Sequence, residues 1–413
     1  MRVCVCPDSG QAIVGAAEHL CARHLTHAAR ERTDETEYLR MAGMTFDDWE
    51  NIEPFRTISL MVNSSCNLAC QHCDLPRQYD RYEGTLGADQ WEVLLERVIA
   101  QAAPEVIGIS AMEPLLPDGT QEKSVRILRV AYDHGIRSGL VTNGMFAEGF
   151  FQSEELPPAI DFLDISFDGP PAVNDQIRGP KHRVCVESFL ASKLAGRVAK
   201  RLYISTTLNS WNLTPAAIRE HVAWVRRWVE SPRIVLLLLH PNEHVDSRLS
   251  IASSRFEAVL DCLHSESAGC EEVFLEVFPS SLPDLAGLVE RGLLPGSDSV
   301  IQDDTGMPWG HIGENLFVRY NNDLLLRRYN LRLSPEGHAL CPESLETAGY
   351  LQESPGNLVS ESLAEVWRRI ESSVANNLDN LPRQCLGRDC LPLCAGENRR
   401  CQILQNGARD ETT

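Results

Sequence analysis

The stretch Cys66-Asn67-Leu68-Ala69-Cys70-Gln71-His72-Cys73 constrains this chain more than any other, with three cysteines at C-x3-C-x2-C spacing. Three thiols on one tight loop cannot all pair with each other as disulfides, but they can serve one metal centre. Cysteine runs of this density hold iron–sulfur clusters. Three protein sulfurs ligate three irons of a cubane and leave the fourth iron open to another ligand. Zinc is the competing metal, although it usually takes four protein ligands from paired knuckles. Reduced structural cysteines are the third reading.

Cysteine usage elsewhere points the same way. The start, Met1-Arg2-Val3-Cys4, has neither the apolar core nor the cleavage site of an export signal. A cytoplasmic location is therefore expected, where thiols bind metals more often than they form disulfides. Of the 14 cysteines, eleven fall in three groups: Cys4, Cys6 and Cys21; Cys66, Cys70 and Cys73; and Cys341, Cys385, Cys390, Cys394 and Cys401. Cys185, Cys262 and Cys270 read as small buried apolar residues. The net charge is −20 and there is no Lys/Arg block to neutralise phosphates, so nucleic acid is not an expected partner. No apolar run approaches the length of a membrane span.

The 413 residues allow two or three domains. Residues 1–54 form a Cys/His-containing segment. Cys4-x-Cys6 in a Pro/Gly turn, followed by Cys21-Ala22-Arg23-His24 on a helical pattern, supplies two ligand pairs for a zinc knuckle. A further iron–sulfur cluster and unliganded thiols are the alternatives there.

From about residue 55 strand and helix patterns alternate, which predicts an α/β fold with a parallel sheet. Strands are expected at Thr57–Val62, Val106–Ser110, Ile136–Thr142, Phe162–Phe167, Leu202–Thr207 and Ile234–Leu239. Helices are expected at Ala88–Ala102, Thr120–Gly135, Val184–Gly196 and Thr214–Val229, the last with Thr214 as N-cap and Pro215 at the first helical position. Functional groups in such folds gather at the C-terminal strand ends. Those ends read Ser110-Ala111-Met112-Glu113-Pro114, Thr142-Asn143-Gly144, Ser166-Phe167-Asp168-Gly169-Pro170 and Thr207-Leu208-Asn209, with Ile177-Arg178-Gly179 beyond the third. Further on, Leu316–Tyr320 and Asp323–Arg328 flank Asn321-Asn322, a hairpin signal. Then come Cys341-Pro342, Gly356-Asn357, a helix through Trp367, and Cys385, Cys390, Cys394 and Cys401.

In this order the motifs resemble those of radical S-adenosylmethionine (SAM) enzymes with a SPASM/twitch-type C-terminal extension. The resemblance implies a partial (β/α)6 barrel over 55–300 and an auxiliary iron–sulfur domain over 301–413. It implies that Cys66, Cys70 and Cys73 hold a 4Fe–4S cluster whose open iron SAM chelates. Reduction of that cluster cleaves SAM to a 5′-deoxyadenosyl radical, which takes a hydrogen atom from a substrate C–H. Glu113, Asn143, Ser166, Arg178 and Asn209 are the implied SAM-binding residues, and Asp168 reads as a turn-stabilising residue. The family usually has Gly-Gly-Glu-Pro where Ala111-Met112-Glu113-Pro114 stands here. Ala is small enough to preserve the backbone contact, whereas the Met112 side chain must turn away or narrow the pocket.

A full SPASM pattern expects a cysteine where this chain has Glu361. Five thiols cannot fully ligate two four-iron clusters. One auxiliary 4Fe–4S cluster on Cys385, Cys390, Cys394 and Cys401 is expected, with Cys341 as a substitute ligand or the anchor of a second. Asp303, Asp304, His311 and Glu314 are acid/base candidates for substrate deprotonation, with solvated loop residues as the alternative. The implied activity is modification of a ribosomal peptide by cross-link, thioether or epimerisation. The alternative is dehydrogenation or epimerisation of a small metabolite such as an aminocyclitol or sugar. An electron donor such as flavodoxin or ferredoxin is the implied partner. An iron–sulfur scaffold or electron carrier is the non-enzyme alternative.

Overall fold

The computed structural model describes residues 3–5, 12–14, 55–73, 85–153, 155–239, 247–251, 253–277, 282, 284–295, 301–302, 308–320, 330–340 and 354–379. Two short strands, β1 (Val3–Val5) and β2 (Ala12–Val14), pair antiparallel with each other. Cys4 lies on β1, while Cys6, Cys21 and His24 fall outside the described residues.

The main sheet contains β3 (Thr57–Leu60), β4 (Val106–Ile109), β5 (Arg137–Thr142), β6 (Ile160–Ser166), β7 (Ala199–Leu208), β8 (Arg233–Leu238) and β9 (Glu272–Val277). Its other strands are β10 (Ile301–Gln302), β11 (Pro308–His311), β12 (Leu316–Tyr320), β13 (Asn330–Leu333), β14 (His338–Leu340) and β15 (Gly356–Asn357). Their lateral order is β10-β11-β12-β9-β8-β7-β6-β5-β4-β3-β13-β14-β15. From β12 across to β13 every neighbouring pair is parallel. The outer strands on both sides pair antiparallel.

Alternation along the strands gives the sheet two unlike faces, because successive side chains point to opposite sides. In β3, Ile58 and Leu60 are wholly buried, while Thr57 and Ser59 are partly accessible. β4, β8 and β9 repeat the pattern. The wholly buried set belongs to one apolar core together with the helices, among them Ala88–Ala102 with Trp91, Leu94, Leu95 and Val98. The other set, drawn from every strand of the parallel run, lines a single cavity of about 740 Å³. A sheet whose strands all border one cavity is curled around it, and this is the partial barrel.

The six expected strands and three of the four expected helices are present with ends shifted by a few residues, while the helix expected at Val184–Gly196 is instead Pro180–Ala191 followed by a separate short helix Ala195–Val198. Thr214 accepts a hydrogen bond from the Ala217 amide at 3.2 Å and caps the helix Pro215–Trp228. Two features differ from expectation. The parallel run continues past β8 into β9, a strand not anticipated. Both edges of Leu316–Tyr320 are taken by strands other than the one expected after Asn321-Asn322, and that turn lies outside the described residues. β12 pairs antiparallel with the preceding β11 and parallel with β9. Its alternate residues Leu316, Val318 and Tyr320 are fully buried, and a place beside β9 covers them. Residues 323–328 lie outside the described residues. β13 pairs with β3, and the Met61 amide bonds to the Leu333 carbonyl at 3.0 Å. The start and the late part of the chain thus meet at the strand that feeds the cysteine loop. Among the described residues no helix is long and apolar enough to cross a membrane.

Between β6 and the helix Pro215–Trp228, the Phe167 ring stacks on Trp224 with centroids 3.6 Å apart and on His221 at 6.4 Å. His221 Nε2 lies 2.8 Å from the Thr206 hydroxyl. Burial lowers its pKa to about 4. The unfolded chain takes up this proton near pH 6.5, so between pH 6.5 and 4 the unfolded state binds more protons. The contribution is complete above pH 6.5 and is lost as pH falls toward 4. Other buried groups titrate in the same window, so the comparison is with His221→Gln. Urea unfolding should show the wild type losing roughly 3 kcal/mol relative to the variant between pH 7.5 and 4. A constant difference across that window would contradict the buried neutral imidazole.

Candidate active site

The cysteine loop leaves the C-terminal end of β3 and is held from two sides. The Cys73 amide bonds to the Cys70 carbonyl at 3.1 Å, closing a turn, and the Gln71 amide bonds to the Ile177 carbonyl at 3.3 Å. The Asn143 side-chain Nδ2, just past the end of β5, donates to Asn67 Oδ1 at 2.8 Å and lies 3.9 Å from Cys66 Sγ. Cys66, Cys70 and Cys73 all line one cavity of about 160 Å³. Burial raises the Cys66 and Cys70 thiol pKa values, the latter to about 11. Among the described residues no three His, Cys, Asp or Glu side chains converge as a single metal ion requires. A cubane takes one thiolate at each of three corners, and three thiols lining one cavity suit it.

Glu113, fully buried after β4, ties the neighbouring strand ends together. Its Oε1 accepts from the Thr142 hydroxyl at 2.7 Å and the Leu115 amide at 3.0 Å; Oε2 accepts from the Asn143 amide at 2.8 Å. Burial pushes its pKa up, against the pull of those three donors. Ala111 and Met112 both line the cysteine cavity, with φ of +67° and +51°. These are left-handed conformations, costly for residues with a Cβ and natural for the glycines of the family pattern.

Ser166 and Arg178 also line this cavity. Asp168, expected as a local turn former, has a different role. It is fully buried and its Oδ2 accepts from Arg178 Nε at 2.5 Å. Its Oδ1 accepts from the Thr207 amide at 2.9 Å, and His72 Nδ1 stands 3.5 Å from Oδ2. Burial opposes the Asp168 charge, but Arg178 and His72 beside it hold the carboxyl below the usual carboxylate range. The turn is made by Asn174 instead, whose Oδ1 accepts the Asp168 amide at 3.0 Å. Neither the ten-residue separation of Asp168 and Arg178 nor the contact with His72 follows a helix or strand period. Sequence alone therefore did not pair them.

The remaining expected site residues fall elsewhere. Asn209 is fully buried and spends its amide on the Thr207 carbonyl and the Trp211 amide. His311 and Glu314 are exposed near the start of β12, at the end of the sheet opposite the cysteine loop. There His311 packs on Trp309 and Phe317. Asp303, Asp304, Cys341, Cys385, Cys390, Cys394 and Cys401 lie outside the described residues.

A curled parallel sheet with a three-cysteine loop at its C-terminal edge is the radical SAM fold, and this chain has it. SuiB of Streptococcus suis bound to S-adenosylmethionine superposes with a TM-score of 0.56 at 13% identity, covering 87% of this chain and 74% of that one. SuiB bound to its precursor peptide SuiA gives 0.58 at 12%, covering 95% and 91%. The enzyme anSMEcpe with bound AdoMet and the Cp18Cys peptide gives 0.54 at 15%, covering 84% and 90%. No family profile matches the chain. In sequence, the AdoMet-dependent heme synthase of Oleidesulfovibrio alaskensis is 29% identical over 125 residues, 30% of this chain and 31% of the relative. The Fe-coproporphyrin III synthase of Methanosarcina barkeri is 26% identical over 116 residues, 28% of each. The chain thus matches about a third of the length of these curated relatives.

Two stability outcomes follow from this geometry. Ala111→Gly and Met112→Gly should each raise the unfolding free energy by about 0.5–1 kcal/mol, the left-handed penalty less the entropy glycine adds to the unfolded chain. Equilibrium urea unfolding reads this, and a loss of stability would count against the strained backbone. Asp168→Ala leaves Arg178 buried without its partner and should cost about 3–5 kcal/mol by the same measurement.

Proposed function

We propose that this chain is a radical SAM enzyme acting on a substrate held in the barrel lumen. The carrying observation is that the cysteine cavity and the lumen share Ala111, Val141, Ser166 and Arg178 as wall. A group lodged beside the cysteine loop therefore faces whatever the lumen holds. When bound at Cys66, Cys70 and Cys73, a 4Fe–4S cluster with SAM supplies one-electron cleavage of SAM to a 5′-deoxyadenosyl radical able to take a hydrogen atom from an unactivated C–H.

The chain's own residues hold and orient. Asn143 fixes the loop beside Cys66. Glu113 sets the wall formed by Ala111 and Met112 through its bonds to Leu115, Thr142 and Asn143. The Ser166 hydroxyl can bond a ribose or carboxylate oxygen of SAM. Arg178 has its Nε on Asp168, and its remaining N–H groups suit the SAM carboxylate. Cys385, Cys390, Cys394 and Cys401 would carry the auxiliary cluster, with flavodoxin or ferredoxin as donor.

The lumen, at about 740 Å³, is the size of a small-ligand site and favours a small metabolite. A peptide is the second reading, favoured by the peptide-bound state of SuiB and anSMEcpe, whose fold this chain shares. The test is anaerobic reconstitution with iron and sulfide, then SAM and dithionite. 5′-Deoxyadenosine should form in wild type and fall at least a hundredfold in Cys66→Ala/Cys70→Ala/Cys73→Ala. A fully loaded cluster yielding none would overturn the reading.

A further inference from the structure

A single strand carries the lumen wall from an apolar ring up to the cysteine cavity. Along β6, Phe162, Asp164 and Ser166 share the lumen face, while Leu163 and Ile165 between them are fully buried in the core. Residues two apart on a strand stand roughly 6.6 Å apart. Ser166, the last of the three, also lines the cysteine cavity. Val141 of β5 pairs directly with Asp164 and likewise lines both cavities. Asp164 therefore stands one strand spacing, about 4.8 Å, from one shared wall residue and one strand repeat from the other. At the other end of the row, a Cβ on Gly139 would meet the Phe162 ring at 2.5–2.6 Å, so glycine there lets the ring lie against β5.

The Asp164 carboxyl has acceptor capacity to spare. Its Oδ2 accepts from the Ser205 hydroxyl at 2.5 Å, and its Oδ1 has no hydrogen-bond partner. Ser205 is its one hydrogen-bond donor among the described residues, whereas an ionised carboxylate has about four lone-pair sites. A buried acceptor left unpaired is costly, and a ligand that brings a donor removes that cost. Burial raises the Asp164 pKa to about 7 against the pull of the Ser205 hydroxyl; the Glu276 charge adds to the rise and Arg178 opposes it. The other charged or titratable groups of the lumen wall are Arg201, Tyr203, Arg319 and Arg332. Four guanidinium groups in one lumen oppose an ammonium ion, and at Asp164 a second carboxylate would meet a like charge. A neutral O–H donor meets neither objection.

We infer that the lumen binds a small neutral alcohol along β6, with its apolar body on Phe162 and its hydroxyl donating to Asp164. The carbon bearing that hydroxyl then lies beside the wall that the lumen shares with the cysteine cavity. Calling this alcohol the substrate rests on the function proposed above; its binding at Asp164 does not.

The probes are 2-naphthylmethanol, its methyl ether, which keeps the apolar body but has no O–H, and 2-naphthylmethylamine. Anaerobic equilibrium dialysis against the reconstituted full chain at pH 8.5 should find the alcohol bound at least tenfold tighter than the ether or the amine. Only the ionised carboxylate offers both oxygens as acceptors, so affinity for the alcohol should rise about tenfold from pH 6 to pH 8.5 as Asp164 loses its proton. Asp164→Asn keeps the shape and one acceptor. It should bind the alcohol within about threefold of wild type at pH 8.5 with a flat pH profile, which separates Asp164 from the other titratable groups of the wall. Asp164→Leu should erase the preference for alcohol over ether, and Phe162→Ala should weaken both. Should the leucine variant fail to fold, as judged by circular dichroism, the asparagine profile decides. No binding of the alcohol to wild type, ether or amine binding as tightly, or a pH slope kept by Asp164→Asn would each overturn the inference. 5′-Deoxyadenosine formation is measured on the same samples. Probe failure with deoxyadenosine formed overturns the alcohol site alone. Alcohol-selective binding without deoxyadenosine overturns the radical reading and leaves the alcohol site standing.

Discussion

Asp168 meets a guanidinium, a backbone amide and an imidazole, each from a different part of the chain. Arg178 ends the helix Pro171–Arg178, Thr207 lies near the end of β7, and His72 belongs to the cysteine loop. A buried charge is tolerated only when such partners replace water around it. The Asp168–Arg178 pair thus stands beside the cysteine loop at the barrel mouth, with the His72 ring 3.5 Å from its carboxylate. The Gln71 amide, bonded to the Ile177 carbonyl, makes the same connection through the backbone. Removing the carboxylate would leave the Arg178 guanidinium without its buried partner and the Thr207 amide without its acceptor.

The barrel meets two incompatible demands by sorting residues between its faces. Ile58, Ile107, Leu163, Ile204 and Ile234 are wholly buried beneath the helices and supply the burial that drives folding. Ser59, Asp164, Tyr203, Arg201 and Glu276 face inward, where the same strands leave room for a ligand. The two sets alternate along single strands. A one-residue slip of β6 would put Asp164 under the helices and Leu163 into the lumen. Register and site chemistry are thus one constraint.

Much of this was legible in the sequence, for identifiable reasons. Strong strand runs bounded by turn signals located β3 to β8, and the loop Cys66–Cys73 announced itself through spacing. Ala111 and Met112 stood out because residues with a Cβ replaced glycines, and the positive φ at both positions is the physical content of that replacement. What sequence left hidden was long-range. The partner of β12 is β9, some forty residues earlier in the chain, and no local pattern names it. Asp168 looked like a turn residue because Asp-Gly-Pro is a turn signal. Its partners are set by packing of elements that have no common period. Glu314 and His311 resembled acid/base candidates by residue type alone, and the direction of β12 carries them to the far end of the sheet.

The pairing of β13 with β3 has a consequence for how the protein is made. Ser59 bonds to Asn330, 271 residues later in the chain. At ordinary synthesis rates the ribosome needs roughly 15–50 s to cover that distance. Throughout that interval β3 has β4 on one side only, and its other edge is a row of unpaired amides and carbonyls beside three thiols. Such an edge recruits foreign strands. Late arrival of β13 thus makes the nascent chain most vulnerable, to aggregation and to thiol oxidation, at the very strand that leads into the cysteine loop.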